Sequence, residues 1–139
     1  MGQELVDQLN RFTADKHPGH VGVSLSRCEA DLVEGSLVVT EPVVAGTGFL
    51  WAPVVVTLAD WLCAAAMSAN LPDGVSFTTV ELKTNFLGSA RVGEKVTGRA
   101  THRHRGKSTH VWDVEVRNED RDRVIALFRC TQMLLYPRQ

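Results

Sequence analysis

A single carboxylate interrupts an otherwise apolar segment. The stretch PVVVTLADWLCAAAMSAN, from Pro53 to Asn70, has Thr57, Asp60 and Ser68 as its only polar residues before the closing asparagine. A carboxylate among apolar side chains needs a partner, a shifted pKa or a chemical role. Asp60 is therefore a candidate general base or nucleophile. The alternative is that it pairs with a buried cation or backbone group and serves only packing.

A second candidate site is the basic turn, which we define as Arg105-Gly106-Lys107-Ser108-Thr109. It lies in the densest cluster of basic residues in the chain, from Arg99 to His110. Guanidinium, ammonium, hydroxyl and turn N–H groups all suit phosphate oxygens. A nucleotide phosphate fits better than nucleic acid, because no aromatic residue interrupts the cluster and the formal net charge is −1. The alternative is a solvated hairpin turn without a ligand.

Other reactive residue types give weaker indications. His102 and His104 share one face of a predicted strand but have no third ligand nearby, so we predict no metal site. No serine lies in a Gly-x-Ser-x-Gly motif, which argues against a serine hydrolase. The three cysteines are far apart and form no C-x-x-C pair, so we expect reduced thiols and a cytoplasmic protein.

The element that positions Asp60 is predicted to be a long helix over about residues 53–70. Pro53 suits the first turn of a helix, and the alanines of the second half favour helix. Asn70 and the following Pro72-Asp73-Gly74 form a stop signal. A helix that is apolar on every side is buried, and the central Asp60 argues against a membrane span.

The rest of the chain predicts a sheet around this helix. The 139 residues, 44% apolar and 22% charged, are typical of one soluble domain, which we place at residues 1–139. Alternation along Phe77–Leu87 puts Thr79, Lys83 and Asn85 on one side of a strand. The predicted order is a helix at about 3–14, a hairpin at 21–31 and 35–41 turning at Glu34-Gly35, the long helix, and an antiparallel meander of four strands at 77–87, 95–104, 108–117 and 124–135.

Two stretches resemble the hotdog-fold acyl-CoA thioesterases related to the phenylacetate-pathway and 4-hydroxybenzoyl-CoA enzymes. The first is Gly48-x-x-Trp51-Ala52-Pro53, followed by Leu58-Ala59-Asp60. The second is VELKTNFL at Val80–Leu87, followed by Val92-Gly93 and the basic turn. The resemblance covers about residues 20–136. It implies an α+β hotdog fold, with an antiparallel sheet of about six strands wrapped around the central apolar helix.

The same resemblance implies hydrolysis of a CoA thioester to free acid and CoA. It implies that Asp60 activates water or attacks the thioester, while the Ala52 backbone N–H at the helix start polarises the carbonyl, with Gly48 in the same motif. The positive end of a helix dipole suits a developing oxyanion. Trp51, Asn85 and the basic turn are the implied substrate and CoA contacts. CoA is part of the substrate, so the resemblance implies no cofactor.

The first motif departs from the family pattern. Ala45 replaces an Asn, Trp51 replaces a His, and Ala64 replaces a Thr found in some members. These departures leave open a non-catalytic acyl-CoA binder on the same fold. A hotdog hydratase is less favoured because no His–Asp pair lies near Asp60, and a pure interaction protein leaves Asp60 and the basic turn unexplained.

The resemblance also implies self-association. It predicts a homodimer or homotetramer with sites at the subunit interface, and the small net charge predicts no nucleic-acid or membrane partner. The sequence does not indicate which acyl chain is bound.

Overall fold

A computed structural model describes residues 2–138 and contains one antiparallel sheet around one long helix. The prediction of an α+β fold with about six strands wrapped around a central helix is confirmed. No helix within residues 2–138 has the length and apolar character needed to cross a membrane. The elements are α1 (Gly2–Thr13), α2 (His17–His20), β1 (Ser24–Cys28), β2 (Leu32–Val38), a 3-10 turn (Glu41–Val43), α3 (Ala52–Ser68), β3 (Ser76–Phe86), β4 (Lys95–Arg105), β5 (Thr109–Asn118) and β6 (Arg123–Leu135).

The core lies between α3 and the concave face of the sheet. Leu58 and Leu62 on α3 are fully buried, and each contributes about 2 kcal/mol of hydrophobic stabilisation. Two strand glycines let the helix approach closely. A Cβ atom at Gly98 would lie 2.6 Å from Leu62 Cδ1, and one at Gly35 would lie 2.8 Å from Leu62 Cδ2. The sequence therefore keeps side chains off the sheet where Leu62 packs.

The predicted turn at Glu34-Gly35 is wrong. Both residues lie inside β2, where Gly35 pairs with Leu25 on one side and with Gly98 on the other. The chain turns earlier, where the Glu29 N–H donates to Leu32 O at 2.9 Å. Gly35 is needed for the close approach of α3 and not for a turn, a distinction that the sequence pattern alone does not make.

The predicted four-strand meander is also wrong in its first member. The order across the sheet is β1-β2-β4-β5-β6-β3, so only β4, β5 and β6 form a meander and β3 is an edge strand beside β6. The connection after β3 bonds to β6 and to the loop before α3. The Leu87 N–H donates to Ile125 O at 2.8 Å, and the Leu50 N–H donates to Ala90 O at 2.8 Å. A connection of this length crosses the sheet end to β4 instead of closing a tight hairpin.

A β-bulge changes the facing of β3. Thr79 pairs with Gln132, but the next pair is Glu81 with Thr131, so Val80 is an extra residue. Beyond the bulge, Thr84 faces α3, as Thr79 does before it. The prediction that Thr79 shares a side with Lys83 and Asn85 is therefore wrong, because strict alternation assumes a strand without a bulge.

Candidate active site

Asp60 lies on the face of α3 that the sheet leaves open. Partly exposed residues recur on this face at helical spacing, as Thr57, Asp60, Trp61 and Ala64. Burial is the main cause that raises the pKa of Asp60 above its usual value, and a hydrogen bond from Thr79 partly offsets it. A carboxylate with a raised pKa is a stronger base than one in water, as general-base catalysis requires.

Thr79 on β3 is a site residue that the sequence did not predict. Its hydroxyl Oγ1 lies 3.4 Å from Asp60 Oδ1 and 3.0 Å from Gln132 Oε1 on β6. Gln132 is fully buried. The pairing of β3 with β6 and the bulge after Thr79 create these contacts. No local motif marks them, because they depend on long-range register.

The beginning of α3 offers a free backbone donor. Trp51 precedes the helix without a side-chain cap, Ala52 is the first helical residue, and Pro53 has no N–H. Among the hydrogen bonds of residues 2–138, none has the Ala52 N–H as donor, as is usual for the first turn of a helix. This N–H is available to a ligand oxygen. The neighbouring Trp51 side chain is 55% exposed.

Gly48 shapes the loop that leads to this helix start. Its φ of 85° lies in the left-handed region that favours glycine. Its N–H donates to Ala45 O at 2.9 Å, and the Ala45 N–H donates to Phe49 O at 2.8 Å. The loop is therefore a tight turn that sets the direction in which the chain enters α3.

Ala52 and Asp60 are separated along the same helix. They are eight residues apart, which corresponds to about 12 Å at 1.5 Å per residue. A thioester carbonyl that accepts a hydrogen bond from the Ala52 N–H is thus out of reach of a water held by Asp60 of the same chain. The structure presents both groups but does not bring them together within one chain.

The first residue of the basic turn is engaged in contacts with the protein. Arg105 forms an ion pair with Asp31, Nη2 to Oδ1 at 2.9 Å. Its Nη1 donates to Asn70 Oδ1 at 3.0 Å and to Ala30 O at 3.2 Å. These contacts link the basic turn to the β1–β2 turn and to the residues that follow α3.

The other side of the basic turn is held against the end of β6. The Tyr136 hydroxyl donates to Lys107 O, and the Leu134 N–H donates to Ser108 O at 2.9 Å. The side chains of Lys107 and Ser108 are exposed and make no hydrogen bond or ion pair within residues 2–138. A Cβ atom at Gly106 would lie 2.5 Å from the ring of the exposed His104, which would have to shift to make room for it. The backbone is fixed while the Lys107 ammonium is free.

Asn85 lies apart from these groups. It faces the outer side of the sheet, where it lines a cleft of about 700 Å³ together with Lys83 and Arg99. Asp60 faces the opposite, helix-covered side. Within one chain the structure does not bring Asn85 and Asp60 together.

The described residues offer little for metal chemistry. Across residues 2–138, no group of three or more His, Cys, Asp or Glu side chains is arranged to hold a metal ion. All three cysteines are buried free thiols. Burial raises the pKa of Cys28 to about 11, and burial together with the contact to Cys130 raises the pKa of Cys63. Neither Cys28 nor Cys63 is presented to a substrate as a thiolate.

Comparison with known proteins points to one family. The family model described as the thioesterase superfamily matches residues 47–125, which include α3, the strand β3 and the basic turn. A 1,4-dihydroxy-2-naphthoyl-CoA hydrolase from Listeria monocytogenes is 31% identical over 112 residues, which cover 80% of this chain and 89% of that protein.

Solved structures share the whole fold. A thioesterase from Haemophilus influenzae superposes with a TM-score of 0.87 at 27% identity, covering 94% of this chain and 90% of that one. The PaaI protein from the phenylacetic acid degradation operon of Escherichia coli has a TM-score of 0.79 at 23% identity, covering 96% and 95%, which shows likeness of fold alone. The hotdog fold implied by the two sequence motifs is confirmed.

Proposed function

Because the chain belongs to the thioesterase superfamily and is a thioester hydrolase, we propose that its substrate is an acyl-CoA and that Asp60 is its general base. The observation that carries the proposal is the placement of Asp60. It is a half-buried carboxylate with a raised pKa, on the open face of an otherwise apolar helix, with a hydroxyl partner. A structural carboxylate would be expected to have a cationic partner, and no ion pair among residues 2–138 involves Asp60.

The proposed chemistry has two steps. Asp60 removes a proton from water as the water oxygen bonds to the thioester carbon, and the carbonyl oxygen becomes an oxyanion that accepts from an Ala52 N–H. The intermediate then collapses, the carbon–sulfur bond breaks, and the carboxylic acid of Asp60 returns the proton to the CoA thiolate. The products are the free acid and CoA.

Direct attack by Asp60 is the mechanistic rival. In that route Asp60 Oδ bonds to the thioester carbon, the CoA thiolate leaves, and water hydrolyses the mixed anhydride. One turnover with excess enzyme in ¹⁸O-labelled water establishes the anhydride route if ¹⁸O is found in Asp60. In that experiment ¹⁸O reaches Asp60 only when an anhydride forms and water attacks its enzyme-side carbonyl.

We propose that each site uses two chains. The separation of about 12 Å between Ala52 and Asp60 along α3 supports a donor from one subunit and a base from the other. A two-fold axis perpendicular to α3 would place the two α3 helices antiparallel, so that the beginning of one approaches the middle of the other. The open face of α3 around Asp60 and Trp61 would then be covered by the partner.

The exposed edge of β3 supports such pairing. Within residues 2–138 this strand bonds only to β6, and no other strand pairs with its second edge. Val80, Leu82 and Phe86 on it are 50%, 43% and 48% exposed. A long edge strand with exposed apolar side chains is a natural site for pairing with a second copy. A homodimer is the smallest assembly that satisfies this edge, and a tetramer would need a further surface.

For CoA we propose that the nucleotide phosphates contact Lys107 together with Ser108 and Thr109, since the Gly106 N–H already donates to Thr109 O at 2.9 Å. The free Lys107 ammonium supports this role better than Arg105 does, because Arg105 already pairs with Asp31. The exposed Trp51 is proposed to contact the acyl group, and Asn85 to contact CoA from the edge strand. Three buried free thiols support a reducing compartment such as the cytoplasm.

The deciding experiment is release of free CoA from short, long and aromatic acyl-CoAs, with wild type beside Asp60→Asn. Turnover that falls by at least a thousandfold in the variant would support hydrolysis centred on Asp60. Turnover that survives the substitution would place the chemistry elsewhere.

The same panel of acyl-CoAs distinguishes hydrolysis from the non-catalytic binding alternative. Trp51 in place of the family histidine favours a binder, so thermal stabilisation by acyl-CoA should be measured in parallel. Stabilisation without turnover on any substrate would contradict the proposed hydrolysis and favour a binding protein. If acyl-CoA gives no thermal stabilisation and no turnover is seen, CoA thioesters are not the ligands of this protein.

A further inference from the structure

The Thr79 hydroxyl lies between two oxygen atoms but has one hydrogen. Asp60 Oδ1 is 3.4 Å from Thr79 Oγ1, and Gln132 Oε1 is 3.0 Å from it. A hydroxyl can donate to only one acceptor at a time. An ionised Asp60 and an amide oxygen would therefore compete for the same hydrogen.

The orientation of the Gln132 amide decides this competition. Turning the amide by 180° exchanges Oε1 and Nε2 without moving any other atom, and the hydrogen bonds determine which orientation is correct. With Nε2 towards Thr79, the amide donates to Oγ1 and the Thr79 hydrogen is left for Asp60. The Thr79 hydrogen and one of the two Nε2 hydrogens then each have an acceptor. Because Gln132 is fully buried, no solvent compensates an unmatched group.

The other end of the amide is compatible with this orientation. It lies 3.5 Å from Cys130 Sγ, within the range of a sulfur hydrogen bond. A thiol is a weak donor and a weak acceptor. With Oε1 at this end, the Cys130 S–H donates to the amide oxygen, and the donors run in one direction from Cys130 through Gln132 and Thr79 to Asp60.

We propose that Gln132 is a positioning residue that acts through Thr79: its buried amide donates to Thr79 Oγ1 and thereby aims the single Thr79 hydrogen at Asp60. The catalytic meaning of this arrangement rests on the proposed function, whereas the arrangement itself does not. Gln132 comes from β6 and never touches substrate. Its effect is to hold the Asp60 carboxylate in one rotamer and to stabilise its ionised form.

The surroundings of Asp60 contain no ion pair that would mask this effect. Within residues 2–138, Thr79 is the hydrogen-bond partner of Asp60, and no cation pairs with it. On the side of the sheet that faces α3, the titratable groups nearest Asp60 are Cys63 on α3, Cys130 on β6 and His110 on β5, while His17 of α2 bonds Thr57. Glu81 of β3 pairs with Thr131 and lies on the outer side of the sheet, near Arg129.

The chain provides a matched control on the same strand. Thr84 also faces α3 from β3, and its buried hydroxyl has no hydrogen-bond partner among the described residues. Thr84→Val therefore removes a buried hydroxyl from β3 without touching the network. Thr79→Ser, which keeps the hydroxyl, is the conservative counterpart of Thr79→Val.

The test is a carbon NMR titration of the Asp60 carboxyl group, which reports its pKa without any turnover. Thr79→Val and Gln132→Met should both move this pKa upward, with Gln132→Met giving the smaller shift, while Thr84→Val and Thr79→Ser should leave it near the wild-type value. A downward shift in Gln132→Met would show that the amide oxygen competes for the Thr79 hydrogen, and no shift would show that Gln132 serves packing only. Either result overturns the proposal.

Two further measurements keep the test decisive. If Gln132→Met does not fold, Cys130→Ala removes the S–H donor from the far end of the amide and should shift the pKa in the same direction, whereas Cys130→Ser should not. In kinetics, the acid limb of kcat/KM should move to higher pH in the same variants, with a roughly tenfold loss for Thr79→Val at acidic pH. A wild type without turnover would refute the proposed function and still leave the titration to decide this proposal.

Discussion

Arg105 and Asp31 form an ion pair that joins the basic turn to the β1–β2 turn, with Nη2 2.9 Å from Oδ1. The same guanidinium also donates to Asn70 Oδ1 at 3.0 Å. The pair is partly exposed, so it contributes at most about 1 kcal/mol to stability. Its greater consequence is for ligand binding, because an anion that approaches Arg105 has to compete with a carboxylate already in place.

The first prediction follows from that competition. Lys107→Ala should raise KM for acyl-CoA by about tenfold, because a free ammonium is lost from a charge-assisted phosphate contact. Asp31→Asn should lower KM, because it releases Arg105. Both effects should disappear with acyl-pantetheine, which lacks the nucleotide phosphates. Lys95→Ala, at the opposite end of β4, is the control and should leave KM unchanged. Equal effects on both substrates would rule out phosphate binding by this turn.

The second prediction concerns the division of the site between chains. Asp60→Asn removes the base, and Ala52→Pro removes the N–H donor at a position where proline is compatible with the helix. Each variant alone should be inactive. Subunits exchanged between the two should recover about a quarter of wild-type activity, since half of the dimers are mixed and one of their two sites is intact. No recovery, despite mixed dimers detected by mass spectrometry, would contradict a shared site.

The sequence predicted the central helix and its carboxylate because both are local patterns. An apolar run with one Asp, a first-turn proline and an asparagine stop indicates a buried helix wherever it occurs. The ends of the helix are correct to within two residues, as α3 runs from Ala52 to Ser68 against a predicted 53–70.

The errors arose where distant segments meet. Gly35 looked like a turn residue, but it is a contact point for Leu62. Thr79 was grouped with Lys83 and Asn85 on one side of the strand because a bulge at Val80 is not visible in the alternation. Gln132 and Thr79 become neighbours only through the pairing of β3 with β6, which joins residues 53 positions apart. Such register-dependent contacts need a three-dimensional model.

The third prediction links Asp60 to stability. Its pKa is raised in the folded state above the ordinary value of 3.8. The folded protein therefore holds the proton more tightly than the unfolded chain, and stability falls as pH rises from about 3.8 through the folded-state pKa. Asp60→Asn avoids this loss. Its free energy of unfolding should exceed that of wild type near neutral pH by roughly 1 kcal/mol, and the difference should vanish below pH 3.8. Denaturant unfolding across pH measures it, and a pH-independent difference would exclude the titration as the cause.

The fourth prediction concerns the thiols. Cys28 is buried, its S–H donates to Ala65 O at 3.5 Å, and its pKa is raised to about 11. Cys63 and Cys130 are also fully buried. The folded protein should therefore react with an aromatic disulfide reagent far more slowly than free cysteine, and all three thiols should react in guanidinium. Fast reaction of the folded protein would contradict the buried placement and would also compromise a thiol-based assay of CoA release.

The fifth prediction tests the contact between α3 and the sheet. A Cβ atom at Gly98 would lie 2.6 Å from Leu62 Cδ1 and 3.4 Å from Leu58 Cγ, so Gly98→Ala should destabilise by about 1–3 kcal/mol through overpacking. Gly46→Ala, where nothing lies within 4 Å, is the control and should be nearly neutral. Adding Leu62→Val to Gly98→Ala should recover part of the loss, because the shorter side chain makes room for the new methyl group. Denaturant unfolding of the single and double variants gives the coupling free energy. If the two changes in the free energy of unfolding are strictly additive, the methyl group added at Gly98 does not contact Leu62. The close packing of α3 against the sheet at this point would then be contradicted.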